Sequence, residues 1–306
     1  MIKKTSSVPG VKRVAIQGIS GSFHEIAAHK FFKKESISVL ECYTFEETIE
    51  SLAKNQADYA IMAIENTVAG SLLSNYTLLR ESVVRIVGEE YLRIKQNLMA
   101  LPGQRIEELR EVHSHYMAIN QCRSFFKQFP SIRLVESDDT ALSAREIREK
   151  VIYGRGAIAG ELAASKYKLD ILAEGIETNK RNYTRFLVLA RDKRENRSEF
   201  LLSHCPSHRQ DVPLTKASLC FSLQHQKGSL ANVLTILARN ELNLTKIQSM
   251  PIIGQEFRYL FYVDVIFEDY DRYLKSLKEI SNCAVEINIL GEYAHTPQSM
   301  ESIHNN

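Results

Sequence analysis

Strand-like and helix-like segments alternate from residue 11 to about residue 190, and this alternation limits the possible folds more than any other feature of the chain. Short apolar runs have the length of buried strands, whereas Phe23, Ala27 and Phe31 recur at the four-residue spacing of a helix face. The predicted strands are Val11–Gln17, Tyr59–Ile64, Asn97–Leu101, Glu111–Ser114, Arg133–Glu136, Gly156–Ala159, Ile171–Ala173 and Thr184–Ala190. The pattern predicts an α/β fold with largely parallel sheets.

Two helices of this region begin with a predicted capping box. In the segment Ser22–Glu25, the serine hydroxyl is expected to bond the first-turn N–H groups while the glutamate reaches back. The segment Thr44–Glu47 repeats the pattern.

The pattern changes after residue 190. Residues 191–213 combine a charge run with two prolines, which predicts a solvated linker. Residues 214–293 show the order βαββαβ, the ferredoxin-like arrangement, and residues 294–306 form a polar tail.

Composition argues against several classes of partner. The 39 Lys and Arg residues nearly balance the 37 Asp and Glu residues, so we expect neither nucleic acid nor an anionic membrane as a partner. No run approaches the ~20 apolar residues of a membrane span. The five cysteines include no Cys-x-x-Cys pair, and the N-terminus lacks the apolar segment of a signal peptide, so we expect a cytoplasmic protein.

No cofactor or metal motif stands out. The turn Gly18-Ile19-Ser20-Gly21 has neither the dinucleotide-binding spacing nor the Gly-Lys-Ser/Thr of a Walker loop, so we expect no cofactor. As a glycine turn before a helix, it either holds an anion at exposed N–H groups or is a plain strand–helix connection. His204, Cys205 and His208 lie in the predicted linker, and we expect no metal site there.

Polar residues gather near the ends of three predicted strands. Glu65-Asn66-Thr67 follows an apolar strand, Ser114 ends another with Gln121 seven residues later, and Asn182–Phe186 opens a third. Ligands of open α/β sheets bind beyond the carboxyl ends of the strands, where two of these clusters lie. Taken singly, each residue could also be a turn former, a helix cap or a surface ion-pair partner.

Several of these segments occur together in a specific order. They are Val14–Phe23, Ile64–Thr67 with Gly70, Ser114-His115 with Gln121-Cys122, Asp139–Ala141 and Asn182–Phe186. The series resembles that of prephenate dehydratases, except that Tyr116 and Met117 replace the Pro-Gln that commonly follows Ser-His. The segment after the linker is similar to the ACT regulatory domain that this family usually carries.

The resemblance implies a fold and a reaction. The catalytic region would have two lobes, similar to periplasmic-binding-protein folds, with lobe one at about residues 11–92 and 182–190 and lobe two at about residues 93–181. The active site would lie between the lobes. Prephenate would lose carbon dioxide and its ring hydroxyl, giving phenylpyruvate, the precursor of L-phenylalanine. Because aromatisation drives the reaction, no cofactor is required.

The resemblance also implies roles for particular residues. Thr184 is expected to donate to the departing hydroxyl, while Asn66, Ser114 and Gln121 hold the substrate. A carboxylate such as Glu65 would favour loss of carbon dioxide by repulsion. The further expected substrate contacts are Gly21, Ser22, Thr67, Thr140, Arg185 and Phe186. Arg185 either binds a substrate carboxylate or braces Glu65, and both possibilities stay open.

The ACT resemblance implies feedback inhibition by L-phenylalanine and assembly into a homodimer or homotetramer. The expected effector-binding residues are Gly228, Ser229, Leu230, Ala231, Gln248, Ser249, Met250 and Pro251. Gln248 and Met250 stand where the family often has Glu and Arg, which removes two charges that could order the effector site.

Two alternative functions stay open. The chain could act on arogenate, the amino analogue of prephenate, since residue types do not separate the two substrates. It could also be a non-catalytic sensor that binds a small carboxylate in the two-lobed cleft.

Overall fold

The computed structural model describes residues 10–192 and 213–295, which divide into two compact units. Within the described residues, unit 1 comprises residues 10–71 and 90–186, and unit 2 comprises the others. Most of the predicted linker, the tail from residue 296 and the histidines His204 and His208 lie outside the described residues.

Fifteen strands and eight α-helices occur in the described residues. In chain order they are β1 (Lys12–Gln17), α1 (Phe23–Phe32), β2 (Ile37–Cys42), α2 (Phe45–Ala53), β3 (Tyr59–Asn66), β4 (Gly70–Ser71), α3 (Leu73–Glu81), β5 (Val84–Arg93), β6 (Asn97–Ala100), β7 (Glu111–Ser114), α4 (Tyr116–Phe126), β8 (Arg133–Glu136), α5 (Thr140–Lys150), β9 (Arg155–Ala159), α6 (Glu161–Tyr167), β10 (Asp170–Ala173), β11 (Tyr183–Arg191), β12 (Lys216–Leu223), α7 (Ser229–Arg239), β13 (Asn243–Pro251), β14 (Tyr259–Ile266), α8 (Tyr270–Ser281) and β15 (Ala284–Tyr293). Strands β5 and β11 are divided between the two units.

Unit 1 contains strands of two sheets. In the first, the order is β11-β3-β1-β2, and β1 runs parallel to both of its neighbours. In the second, the order is β10-β6-β9-β7-β8. The chain crosses to the second sheet after Arg93 and returns at Tyr183. The predicted α/β class with a two-lobed first region is confirmed, but the expectation of largely parallel sheets is wrong for the second sheet, because β6 and β10 pair antiparallel with their neighbours.

Both faces of the second sheet are covered by helices. Ala141 and Ile147 of α5 are fully buried against one face, and Ile119 and Cys122 of α4 are buried against the other. Coverage of both faces explains why the central strands β6 and β9 are buried along nearly their whole length.

Unit 2 has the predicted βαββαβ order from β12 to β15. Its antiparallel strands are arranged β13-β14-β12-β15, which is the ferredoxin-like arrangement, and β5 lies next to β15. Gly291 of β15 pairs with Ile86 of β5, and a Cβ atom at Gly291 would stand only 2.2 Å from the Ile86 carbonyl oxygen. Glycine is therefore required where these two strands meet.

The two predicted capping boxes have different outcomes. At α2, the Thr44 hydroxyl accepts a hydrogen bond from the Glu47 N–H at 3.1 Å, which confirms the cap, while the Glu47 carboxylate reaches back to the Tyr43 N–H at 2.7 Å rather than to that of Thr44. At α1, the prediction is wrong: the Ser22 side chain makes no capping bond, and the Glu25 carboxylate accepts from the Gly21 N–H. The Ser22 N–H instead closes a turn on the Ile19 carbonyl.

No helix in the described ranges combines the length and apolar character needed to cross a membrane. The cysteines within those ranges are Cys42, Cys122, Cys220 and Cys283, and all are free thiols. Cys205 lies outside the described residues.

Candidate active site

The side chain of Asn66, at the carboxyl end of β3, is the centre of a hydrogen-bond network in unit 1. Its Oδ1 accepts from the backbone N–H groups of Val68 and Ala69 at 2.9 and 2.8 Å. Those two bonds fix the orientation of the amide, so its Nδ2 faces β11. There Nδ2 donates to Asn182 Oδ1 at 2.7 Å and to Thr184 Oγ1 at 2.9 Å.

The Thr184 hydroxyl is thereby given a direction. Because its oxygen accepts from Asn66, its own proton points elsewhere and can be donated. The residue is only 7% exposed, and in such surroundings of low dielectric a donated hydrogen bond is stronger than in water. Thr184 and Asn66, which lie 118 positions apart in the chain, form the pair that the sequence analysis expects to converge.

Asn182 extends this network, although the sequence analysis assigns it no role. It is fully buried, and its Nδ2 donates to Gln121 Oε1 of α4 at 2.9 Å. The network therefore joins residues attached to both sheets of unit 1. A signal for Asn182 was present, because positions 182 and 184 fall on the same side of an extended chain.

Thr67 ties the loop after β3 to the start of β11 through three hydrogen bonds. Its hydroxyl donates to the Arg181 carbonyl at 2.9 Å and accepts from the Tyr183 N–H at 2.9 Å, while its N–H donates to the Tyr183 carbonyl. These bonds hold the backbone on either side of Asn66 and Thr184, so Thr67 orients the network rather than joining it.

Ser114 lies apart from this network. Its side chain is fully buried at the end of β7, and its hydroxyl donates to the Ile158 carbonyl of the neighbouring strand at 2.6 Å. The adjacent His115 caps α4, its Nδ1 accepting from the Met117 N–H at 3.2 Å.

Arg185 and Phe186 follow Thr184 on β11 and are 4% and 1% exposed. The Arg185 guanidinium carbon lies 6.0 Å from the centre of the Tyr91 ring, at the limit of a cation–π contact. The His24 and Phe186 rings are nearly perpendicular, with ring centres 5.0 Å apart. Burial lowers the pKa of His24 to about 3, so this imidazole is neutral at physiological pH. Glu65, at the end of β3, is half-buried.

The glycine turn after β1 packs against Asp139, which precedes α5, and against α6. Gly18 and Gly21 both have a φ of +94°, and a Cβ atom at Gly18 would stand 2.8 Å from Asp139 Oδ2. Asp139 caps α5 through the Leu142 N–H at 2.8 Å, so Thr140 is the first helical residue there. Burial raises the pKa of the Asp139 carboxyl above its usual value.

The predicted effector residues form two groups in unit 2 at the same end of the sheet. Gly228, with a φ of +82°, is the N-cap of α7. Gln248–Pro251 ends β13, and Met250 there is opposite Leu260 of β14, which also pairs with Ser222 near the end of β12. The first turn of α7 and the end of β13 therefore flank one end of the ferredoxin-like sheet.

Chemically, the network in unit 1 supplies hydroxyl and amide groups, whereas Arg185, the next residue along β11, faces the other side of the strand. Such a set can bind a carboxylate and stabilise an oxygen that gains negative charge. Of the predicted catalytic residues, the structure joins Asn66, Gln121 and Thr184 and leaves Ser114 outside their hydrogen bonds.

Residues 14–194 match the model of a protein family described as "Prephenate dehydratase". A curated relative from Arabidopsis thaliana, named arogenate dehydratase/prephenate dehydratase 2, chloroplastic, is 34% identical over 291 residues, covering 92% of this chain and 72% of the relative.

Two solved structures extend the comparison. One, described as a novel type of quorum quenching acylase, is 29% identical with a TM-score of 0.80, and the match covers 94% of this chain and 99% of that one. The prephenate dehydratase from Arthrobacter aurescens in complex with L-Phe is 23% identical with a TM-score of 0.77, covering 95% and 97% of the two chains. At that identity, the second likeness supports the fold alone.

Proposed function

Because this chain belongs to the prephenate dehydratase family, and is therefore a dehydratase enzyme, we propose that it converts prephenate to phenylpyruvate in L-phenylalanine biosynthesis. In this reaction the bond from the ring to its carboxylate breaks and carbon dioxide leaves. The electron pair of that bond completes the aromatic ring as the ring hydroxyl departs. The hydroxyl takes up a proton and leaves as water.

The observation that carries this proposal is the bond from Asn66 Nδ2 to Thr184 Oγ1 at 2.9 Å. It leaves the Thr184 proton available to the departing hydroxyl. A threonine hydroxyl is a weak acid, so the bond strengthens as negative charge develops on the leaving oxygen rather than passing a proton beforehand. General acid assistance of this kind typically contributes 10²–10⁴-fold.

Asn182 and the other residues of the site take supporting roles in the proposal. Asn182 and Gln121 hold the amide of Asn66 in place. In the proposal, Arg185, which is 4% exposed on β11, supplies the positive charge for one carboxylate of the substrate. Ser114 acts by fixing the end of β7 to its neighbouring strand, which keeps the start of α4, and with it Gln121, in place.

We expect purified protein to form phenylpyruvate from prephenate, followed by the absorbance of the enolate in alkali. Arogenate is assayed in parallel at the same concentrations, because the curated Arabidopsis relative carries both substrate names. A higher kcat/KM for arogenate would reassign the substrate while keeping the reaction. Absence of turnover with both substrates would reject the proposed activity.

Acyl-amide hydrolysis is the second candidate, because the match to the acylase structure extends over 94% of this chain. It requires a nucleophile activated by a base. The side-chain partner of the Thr184 hydroxyl is an amide, which takes no proton, and burial raises the pKa of the Cys122 thiol to about 12. Both observations favour the dehydratase reaction, and an acyl-amide substrate belongs in the assay as a further comparison.

Regulation by L-phenylalanine is part of the proposal. The solved prephenate dehydratase from Arthrobacter aurescens is in complex with L-Phe, and residues 213–295 of this chain adopt the ferredoxin-like order expected of an ACT domain. The first turn of α7 offers backbone N–H groups to the carboxylate of an amino acid. In the proposal, effector binding involves two copies of unit 2, so the enzyme is a homodimer or homotetramer.

We expect titration calorimetry to detect L-phenylalanine binding and activity assays to show inhibition. Gly228→Val is expected to abolish the binding and to leave uninhibited activity unchanged, because valine disfavours a φ of +82°. Gly103→Val is the matched control, since Gly103 has the same φ and equally open surroundings but lies in unit 1. An active enzyme that binds no phenylalanine would reject the regulatory part alone.

A cytoplasmic location completes the proposal. The free thiols of Cys42, Cys122, Cys220 and Cys283 support it, because oxidising compartments favour disulfides.

A further inference from the structure

The hydroxyl of Ser22 is buried without a hydrogen-bond partner among the described residues. Ser22 is 3% exposed and stands at the N-cap of α1, a ten-residue helix. A serine in this position usually bonds a first-turn N–H group, and leaving a buried polar group unsatisfied costs roughly 1–3 kcal/mol. The hydroxyl and the first-turn N–H groups are therefore donors that could bind an acceptor supplied by a ligand.

Glu25 performs a different task from the one that a capping box predicts. Its Oε2 accepts from the Gly21 N–H at 2.6 Å and from the Ser20 hydroxyl at 3.2 Å. It thus holds the turn one residue before Ser22 instead of bonding Ser22 itself. The carboxylate is 2% exposed, so these bonds are shielded from solvent.

Helix α6 also holds this turn in place, through hydrogen bonds from Lys166 and Tyr167. Lys166 Nζ donates to Glu25 Oε1 at 2.5 Å and also contacts the Ser20 hydroxyl. The Tyr167 hydroxyl donates to the Ser20 carbonyl at 2.5 Å. A Cβ atom at Gly21 would lie 3.1 Å from Ala163 Cα, so the turn packs closely on the helix.

We propose that Glu25 and Lys166 are positioning residues that hold the Ser22 hydroxyl and the N-terminus of α1 as a subsite for one carboxylate of the substrate. The donors at the subsite suit a carboxylate, because a helix N-terminus carries partial positive charge and its N–H groups lack intrahelical partners. The inference rests on the proposed function, in which the substrate is a dianion. It gives Arg185 and the α1 N-terminus separate carboxylates to bind.

The first test uses Ser22→Ala. We expect KM for prephenate to rise about tenfold or more, the effect of one hydrogen bond to a charged group, while kcat changes less than about threefold. Because the substitution removes an unsatisfied buried hydroxyl, we expect an unchanged or higher melting temperature. A variant with wild-type KM would overturn the subsite.

The second test asks whether Lys166 acts through Ser22. We expect Lys166→Met to raise KM about tenfold and Lys166→Arg to restore KM to within about threefold of wild type. The double variant Ser22→Ala/Lys166→Met should show a KM close to that of Ser22→Ala alone, because both changes remove the same contact. Effects that multiply would overturn the positioning role.

Lys54→Met is the control for removing a lysine from an ion pair, since Lys54 and Glu50 are both 57% exposed on α2, and it should leave KM unchanged. The wild-type enzyme is assayed first. An active wild type with unaffected Ser22 and Lys166 variants would reject this inference alone, whereas an inactive wild type would reject the proposed function and this inference with it.

Discussion

Replacing Thr184 by alanine is expected to lower kcat for prephenate by at least about 100-fold, the lower end of what general acid assistance contributes. The side chain is 7% exposed, and its oxygen accepts from Asn66 at 2.9 Å, so its proton is not used in that bond and can be donated. Alanine retains the strand and removes the donor. The measurement is phenylpyruvate formation at saturating prephenate.

Two further substitutions separate the hydroxyl from the shape of the side chain. Thr184→Val keeps the volume without the donor and is expected to be as slow as the alanine variant. Thr184→Ser keeps the donor and should retain kcat within about tenfold of wild type. If the alanine and valine variants fold normally by circular dichroism and turn over at the wild-type rate, Thr184 is not the donor.

Replacing Lys216 by methionine is expected to lower the free energy of unfolding by about 3–5 kcal/mol, the usual cost of removing one partner of a buried ion pair. Lys216 Nζ lies 2.8 Å from each carboxylate oxygen of Glu89, and the two residues are 2% and 1% exposed. His295 Nδ1 lies 3.2 Å from Glu89 Oε1, and it cannot replace the full charge of a lysine unless it is protonated. Urea unfolding followed by circular dichroism measures the loss.

Two controls accompany this measurement. Glu89→Met/Lys216→Met removes both charges and should recover most of the lost stability, because an apolar pair of similar volume is tolerated at such sites. Lys150→Met breaks an exposed pair with Glu146 and should cost less than about 1 kcal/mol. Wild-type stability in Lys216→Met would show that the pair contributes nothing to unit 2.

Several of the strands that the sequence analysis found are buried on both faces. The run Tyr59–Ile64, for example, appears within β3, with five consecutive buried positions. The βαββαβ order of unit 2 was equally readable, because alternation along β12 and the helical stripes of α7 and α8 carry different periods.

Three strands were missed: the two-residue β4, and β2 and β5, which were missed for identifiable reasons. Strand β2 is half-exposed along most of its length and lies at the edge of its sheet, so its pattern is weakly apolar. Strand β5 contains Gly88, Glu89 and Glu90, which interrupt an otherwise apolar run. Both glutamates are buried, with Lys216 paired to Glu89 and Lys30 to Glu90 at 2.7 Å. Because these lysines are distant in the chain from the glutamates, the local sequence of β5 carries no pattern that reveals the pairing.

The sequence by itself determined most of the elements and their order, the two-region organisation and the polar residue types at the strand ends, because periodicity and short motifs are local properties. Only the tertiary structure decided which of those residues act together. It joined Asn66 to Thr184 and Asn182, left the Thr184 proton out of the bond with Asn66, and bonded the Ser114 hydroxyl to a neighbouring strand. Hydrogen-bond direction and burial depend on atoms contributed by remote segments, and their positions relative to each other exist only in the folded chain.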